Sequence, residues 1–154
     1  MRKLIYAAVS LAIAVSVSAD CASARTKSTP HIDGAVQFPQ TRSRIVRHTI
    51  RLHIPQGSSP LSQLTIDVPE GLRANNNITI NKNSGESTNA DVAITGNQVM
   101  VNFPQPITPD SKLEIILHNV KIRGTSNAWT YQVTAKFVGI DANIPLGLAR
   151  IRIY

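Results

Sequence analysis

Cysteine is nearly missing from this 154-residue chain, which carries one, Cys21. Acidic residues are few, nine against sixteen lysines and arginines. After residue 17 no apolar run approaches the roughly twenty residues that cross a bilayer as a helix. A Gly-x-Ser-x-Gly turn, which would mark a nucleophile elbow, is absent. These absences remove a membrane-spanning helix and the commonest serine-hydrolase signature. The mature acids Asp33, Asp67, Glu70, Glu86, Asp91, Asp110, Glu114 and Asp141 are spread singly and mostly fall at turns. Nothing in their spacing suggests the facing carboxylate pair that a glycosidase needs.

What is present begins at the N-terminus. Arg2 and Lys3 precede an apolar run from Leu4 to Val17, and small residues lead to Ala22-Ser23-Ala24. That order is a basic region, a short apolar region and an A-x-A site, which predicts a cleaved signal peptide over 1–24 and an exported protein, periplasmic or extracellular. Cleavage after Ala19 is the other reading. A cysteine after such a run can accept lipid, but Asp20 stands where a lipoprotein signal wants a small neutral residue, which argues against anchoring through Cys21. Cleavage after Ala24 leaves no cysteine, and with it no disulfide, thiol nucleophile or thiolate metal site.

The remaining 130 residues suffice for one domain with its own core. Cleavage takes Arg2, Lys3 and Asp20, leaving fourteen basic and eight acidic residues, a net charge of +6. Such a charge draws a protein toward anionic polymers or head groups. Nucleic acid is not expected as a partner, since export removes the opportunity and no binding motif is visible.

Residues 25–43 are polar, contain Pro30 and Pro39, and read as a flexible arm. From 44 to 154 the apolar period is two, in short segments separated by Pro, Gly and Asn clusters. Ile50, Leu52 and Ile54 mark one strand; Leu64, Ile66 and Val68 a second; Ile78 and Ile80 a third. Val92 and Ile94, then Gly96-Asn97, then Val99 to Phe103 read as a hairpin with Thr95 opposite Gln98 and Ile94 opposite Val99. Pro104 and Pro106 are expected to end that strand. Leu113, Ile115 and Leu117 change parity to Val120 and Ile122, which predicts a bulge or break near His118-Asn119. Trp129 to Phe137 is the clearest amphipathic strand, and Ala149, Ile151 and Ile153 close the chain. The prediction is all-β: a two-sheet antiparallel Ig-like sandwich of about eight strands, without a helix.

Ile54-Pro55-Gln56-Gly57-Ser58-Ser59-Pro60-Leu61, Leu64-Thr65-Ile66 and Pro69-Glu70-Gly71-Leu72 resemble the front half of an exported cyanobacterial family known as domain of unknown function 2808. Tyr131-Gln132-Val133-Thr134-Ala135 and the ending Gly147 to Tyr154 resemble its later half. The resemblance implies export and a compact β-rich domain; it supplies no catalytic residue.

Among candidate sites the basic one is strongest. Arg47, Arg51 and His53 share the face opposite Ile50 and Leu52, and Arg150 and Arg152 share the face opposite Ile151. If these strands lie in one sheet, their guanidinium groups gather into a patch able to grip phosphate or carboxylate, with Lys121 and Arg123 as further members. A solvated outer face is the plainer alternative. For a metal, only His53 with His118 is expected to approach across strands, since His48 faces the other way and His31 lies in the arm. Asn81, Asn83, Glu86 and Asp91 contain enough oxygen for calcium, but their spacing fits no EF-hand. Trp129, Tyr131 and Phe137 fall on the apolar face and are expected in the core rather than on a sugar-stacking surface. No metal, cofactor or catalytic residue is predicted. The expectation is a non-enzymatic envelope binding or structural protein, its partner an anionic envelope polymer or an envelope protein. The alternatives are a hydrolase with a site assembled across loops, or a subunit that adds its terminal strand to a partner.

Overall fold

Alternating apolar and polar residues of high β propensity leave each strand one face to bury, and two sheets bury theirs against each other. The computed structural model describes residues 29–83 and 85–154; the expected signal segment, Cys21 and residues 25–28 lie outside the described residues. Among the described residues there is no helix, and so none long and apolar enough to cross a membrane.

The described residues form eleven strands: β1 (His31–Phe38), β2 (Ile45–Ile54), β3 (Leu61–Asp67), β4 (Leu72–Arg73), β5 (Ile78–Lys82), β6 (Glu86–Ser87), β7 (Asp91–Thr95), β8 (Gln98–Ile107), β9 (Ser111–Ile122), β10 (Ala128–Phe137) and β11 (Ile144–Arg152). The first sheet runs β1-β2-β9-β5-β6, with β4 also on β9; the second runs β11-β10-β3-β8-β7. Every pairing is antiparallel. The all-β, two-sheet sandwich is as the sequence predicts, and the three strands beyond the expected eight are β1, β4 and β6.

The first of these corrects a specific expectation. Residues 31–38, read as part of a flexible arm, are a full edge strand paired with β2. Its periodicity is masked because a register shift between Ile32 and Gly34 inserts an extra residue, Asp33, and because an inward position is Gln37, which is 3% exposed.

The tight turn at Gly96-Asn97 sets Ile94 opposite Val99 and Thr95 opposite Gln98, as its sequence requires. The parity change in β9 is a bulge: Val120 faces Val46 and Leu117 faces His48, so His118 and Asn119 together stand opposite Arg47, one residue in excess, with Asn119 at φ 53°. Pro104 and Pro106 do not end β8, which continues to Ile107. They fall where β8 departs from register with β3, between the Gln63–Asn102 and Leu61–Ile107 pairs, so their missing N–H groups cost no ladder bond there.

Ile50, Leu52, Leu113 and Ile115 on the first sheet meet Leu64, Ile66, Val99, Val101 and Val133 on the second, all buried. Each fully buried aliphatic side chain contributes about 1.5–3 kcal/mol. Trp129, Tyr131 and Phe137 lie in this core. One polar group is set among them. His48, fully buried on β2, accepts at Nδ1 from the Tyr131 hydroxyl on β10 at 2.5 Å and donates from Nε2 to Gln37 Oε1 at 2.9 Å. Gln37 in turn donates to the carbonyls of Pro39 and Thr41. Every member has a partner, so the network ties β1, β2 and β10 together at little desolvation cost. Burial lowers the His48 pKa to about 4 and pushes the Tyr131 hydroxyl far above its ordinary range, so the imidazole stays neutral and the phenol keeps its proton.

Candidate functional site

Residue parity tells which side of a strand an arginine takes, but not which sheet the strand joins. Arg47, Arg51 and His53 stand on the outer side of β2, in the first sheet; Arg150 and Arg152 stand on β11, in the second. The outer faces of a sandwich point away from each other, so these five residues do not form one basic face. Arg51 donates from Nε to Glu114 Oε1 at 3.0 Å, and the Arg47 guanidinium lies 5.0 Å from the centre of the Phe38 ring. His53 meets His31 rather than His118, whose Nε2 bonds the Thr79 hydroxyl at 3.0 Å. The oxygen-rich segment does not converge either. Asp91 pairs with Asn102 in the second sheet, while Asn81 and Glu86 belong to the first and Asn83 Oδ1 accepts the Lys112 N–H.

Arginines do gather at one end of the sandwich. The lead-in to β2, the β9–β10 loop and Ile153 enclose a cleft of about 580 Å³ whose lining includes Arg42, Arg44, Arg123, Thr125 and Ser126, and no carboxylate. Each wall is fixed by the backbone. The Ile122 N–H donates to Arg44 O at 2.8 Å, the Ile153 N–H to Asn127 O at 2.9 Å, and the Arg123 N–H to Gly71 O at 2.7 Å. Glycine is required at the loop's turning point, because a Cβ on Gly124 would lie 2.8 Å from the Trp129 ring and one on Gly71 would lie 3.0 Å from it. The buried indole thus seats the loop that carries Arg123.

Arg42 donates to Asn127 Oδ1 at 2.9 Å, a neutral acceptor. Among the described residues the ion pairs are His31–Asp33 and Arg51–Glu114, so the three exposed cleft arginines carry charge that no carboxylate pairs with. Each guanidinium offers five donors in a planar fork that matches carboxylate and phosphate oxygens. The arrangement suits an anion, with the Thr125 hydroxyl beside the arginines as a further donor. Sequence reasoning found Arg123 but not Arg42 or Arg44, which precede the first regular alternation. A count of arginines flanking the turn segments, rather than those on strands, was the available signal.

No curated protein matches the sequence. Solved structures share the fold. The N-terminal domain of the Streptococcus gordonii adhesin Sgo0707 superposes with a TM-score of 0.53 at 14% identity, over 83% of this chain and 33% of that one. The pilus backbone RrgB of Streptococcus pneumoniae gives 0.54 at 9% identity, over 71% and 31%. The bacterial hydrophobin BslA gives 0.52 at 14% identity, over 82% and 94%. The chain spans about a third of the length of the first two. At sequence level, residues 24–153 match the family described as protein of unknown function (DUF2808), and the chain belongs to that family.

Proposed function

We propose that this protein is an exported, non-enzymatic component of the cell envelope that binds anionic envelope polymer through the cleft of Arg42, Arg44 and Arg123. The observation that carries the reading is the grouping of three arginines around one cleft without a carboxylate. The N-terminal signal pattern supports export, and the fold is one used by adhesin and pilus domains, which supports a binding or structural role over catalysis. The cleft replaces the single strand-borne arginine face as the gripping surface. Addition of β11 to a partner's sheet is the less favoured reading, because Pro145 and the register shift at Val133–Thr134 interrupt that edge.

The test is retention of the purified protein on isolated envelope fractions at low and high salt. Retention on one fraction, lost at high salt, is expected. Each charged hydrogen bond is worth about 1.5–3 kcal/mol, so Arg44→Glu with Arg123→Glu lowers retention at least tenfold, while Arg150→Glu with Arg152→Glu changes it little. Absence of retention at either salt, or equal loss in both double variants, overturns the assignment to the cleft.

A further inference from the structure

At the opposite end of β2, roughly 30 Å from Arg44 by strand length, three metal-ligating side chains meet. His31 on β1 stands directly across from His53 on β2, with ring centroids 5.3 Å apart and the rings edge to face. Asp33 is the extra residue of the β1 bulge. In an unbroken strand the pairing alone would bring the two histidines together; the bulge holds the carboxylate beside them, with Asp33 Oδ1 3.1 Å from His31 Nε2. Next to it Gly34 has no side chain, and a Cβ there would meet nothing within 4 Å, so the outer side of the bulge is open. One ligand atom from each of the three residues lies within 4.8 Å of the others.

We propose that His31, Asp33 and His53 form a binding site for a divalent transition-metal cation of the zinc class. Two imidazoles and one carboxylate are a donor set that prefers zinc, copper or nickel over calcium or magnesium, which take oxygen. His31 is already oriented for the task. Its Nδ1 lies 2.8 Å from the Thr29 carbonyl and donates to it, which orients Nε2 toward Asp33 as the atom where a metal would take the place of a proton, the arrangement that backbone carbonyls provide behind metal-bound histidines. A tetrahedral ion with bonds of about 2.0–2.1 Å holds its ligand atoms roughly 3.3 Å apart, so closure from spacings of up to 4.8 Å needs the side chains to approach by up to about 1.5 Å. Three protein ligands leave a fourth position for water or for a donor from a partner. His48 is unavailable because both its nitrogens are engaged in the core, and His118 stands apart on β9.

The test is titration of the full chain, without an added histidine tag, with zinc chloride by calorimetry and with cobalt chloride by visible absorption. One zinc per chain is expected, with affinity at least tenfold weaker in His53→Gln and in Asp33→Asn and unchanged in His118→Gln. Asp33→Asn keeps the size of an exposed side chain and leaves the fold intact, so a loss there cannot be a loss of structure. In histidine NMR spectra a substoichiometric copper(II) addition broadens His31 and His53 first. Absence of binding, or binding that both variants leave unchanged, overturns the proposal.

Discussion

Burial of His48 makes this sandwich sensitive to acid. His48 is fully buried between the sheets, and its pKa falls from 6.5 to about 4 on folding because the interior disfavours the imidazolium. The unfolded chain therefore takes up the proton at a higher pH than the folded one. The His48 contribution to stability is constant above 6.5, falls as the pH drops from 6.5 toward 4, and is constant again below that. The depression from 6.5 to about 4 corresponds to about 3 kcal/mol in full, most of it already lost at pH 4.5, and a domain of this size has only about 5–15 kcal/mol to lose. Urea unfolding at pH 7.5 and 4.5 measures it. His48→Gln retains one donor and one acceptor and cannot titrate, so other groups cancel in the comparison. The wild-type protein should lose about 2–3 kcal/mol more than this variant over the interval. Equal losses in the two proteins, or an imidazole titration for His48 centred near 6.5 in the folded state, would refute the reasoning.

Tyr131→Phe leaves His48 Nδ1 without its donor in the core and should cost about 1–3 kcal/mol at neutral pH by the same urea assay. Gly124→Ala forces a Cβ to 2.8 Å from the Trp129 ring; thermal unfolding should show a loss of about 1–3 kcal/mol, with tryptophan fluorescence reporting the displaced indole. Leu64→Ala, at a fully buried position of β3, should destabilise by about 2–5 kcal/mol in chemical denaturation, whereas Gln132→Ala on the exposed side of β10 should stay within about 0.5 kcal/mol.

The strands legible in the sequence are those that alternate cleanly. β2, β9 and β10 each bury every second residue over most of their length, and the Gly96-Asn97 turn fixes its own register. β1 was illegible because its inward Gln37 is polar and its bulge breaks the period, although both features have uses, one in the buried network and one in gathering Asp33 with the two histidines. β4 and β6, two residues each, are shorter than any period can reveal. The basic residues were visible, but their grouping depends on sheet membership. β2 and β11 carry similar arginine patterns and belong to different sheets, while Arg42 and Arg123, 81 positions apart, meet because β2 and β9 are neighbours.

The strand order also governs when the domain can form. β2 pairs with β9, and β3 with β10, so the two inner strands from the first half of the chain wait for partners that end at residues 122 and 137. Before then only β1–β2 and the β3–β8–β7 unit can pair, and without β9 and β10 each buries only part of its inner face. A chain made N-terminus first therefore completes its first sheet only after residue 122 and its second only after residue 152. The topology thus places closure of the arginine cleft, which needs Ile153, after both sheets have gained their inner strands.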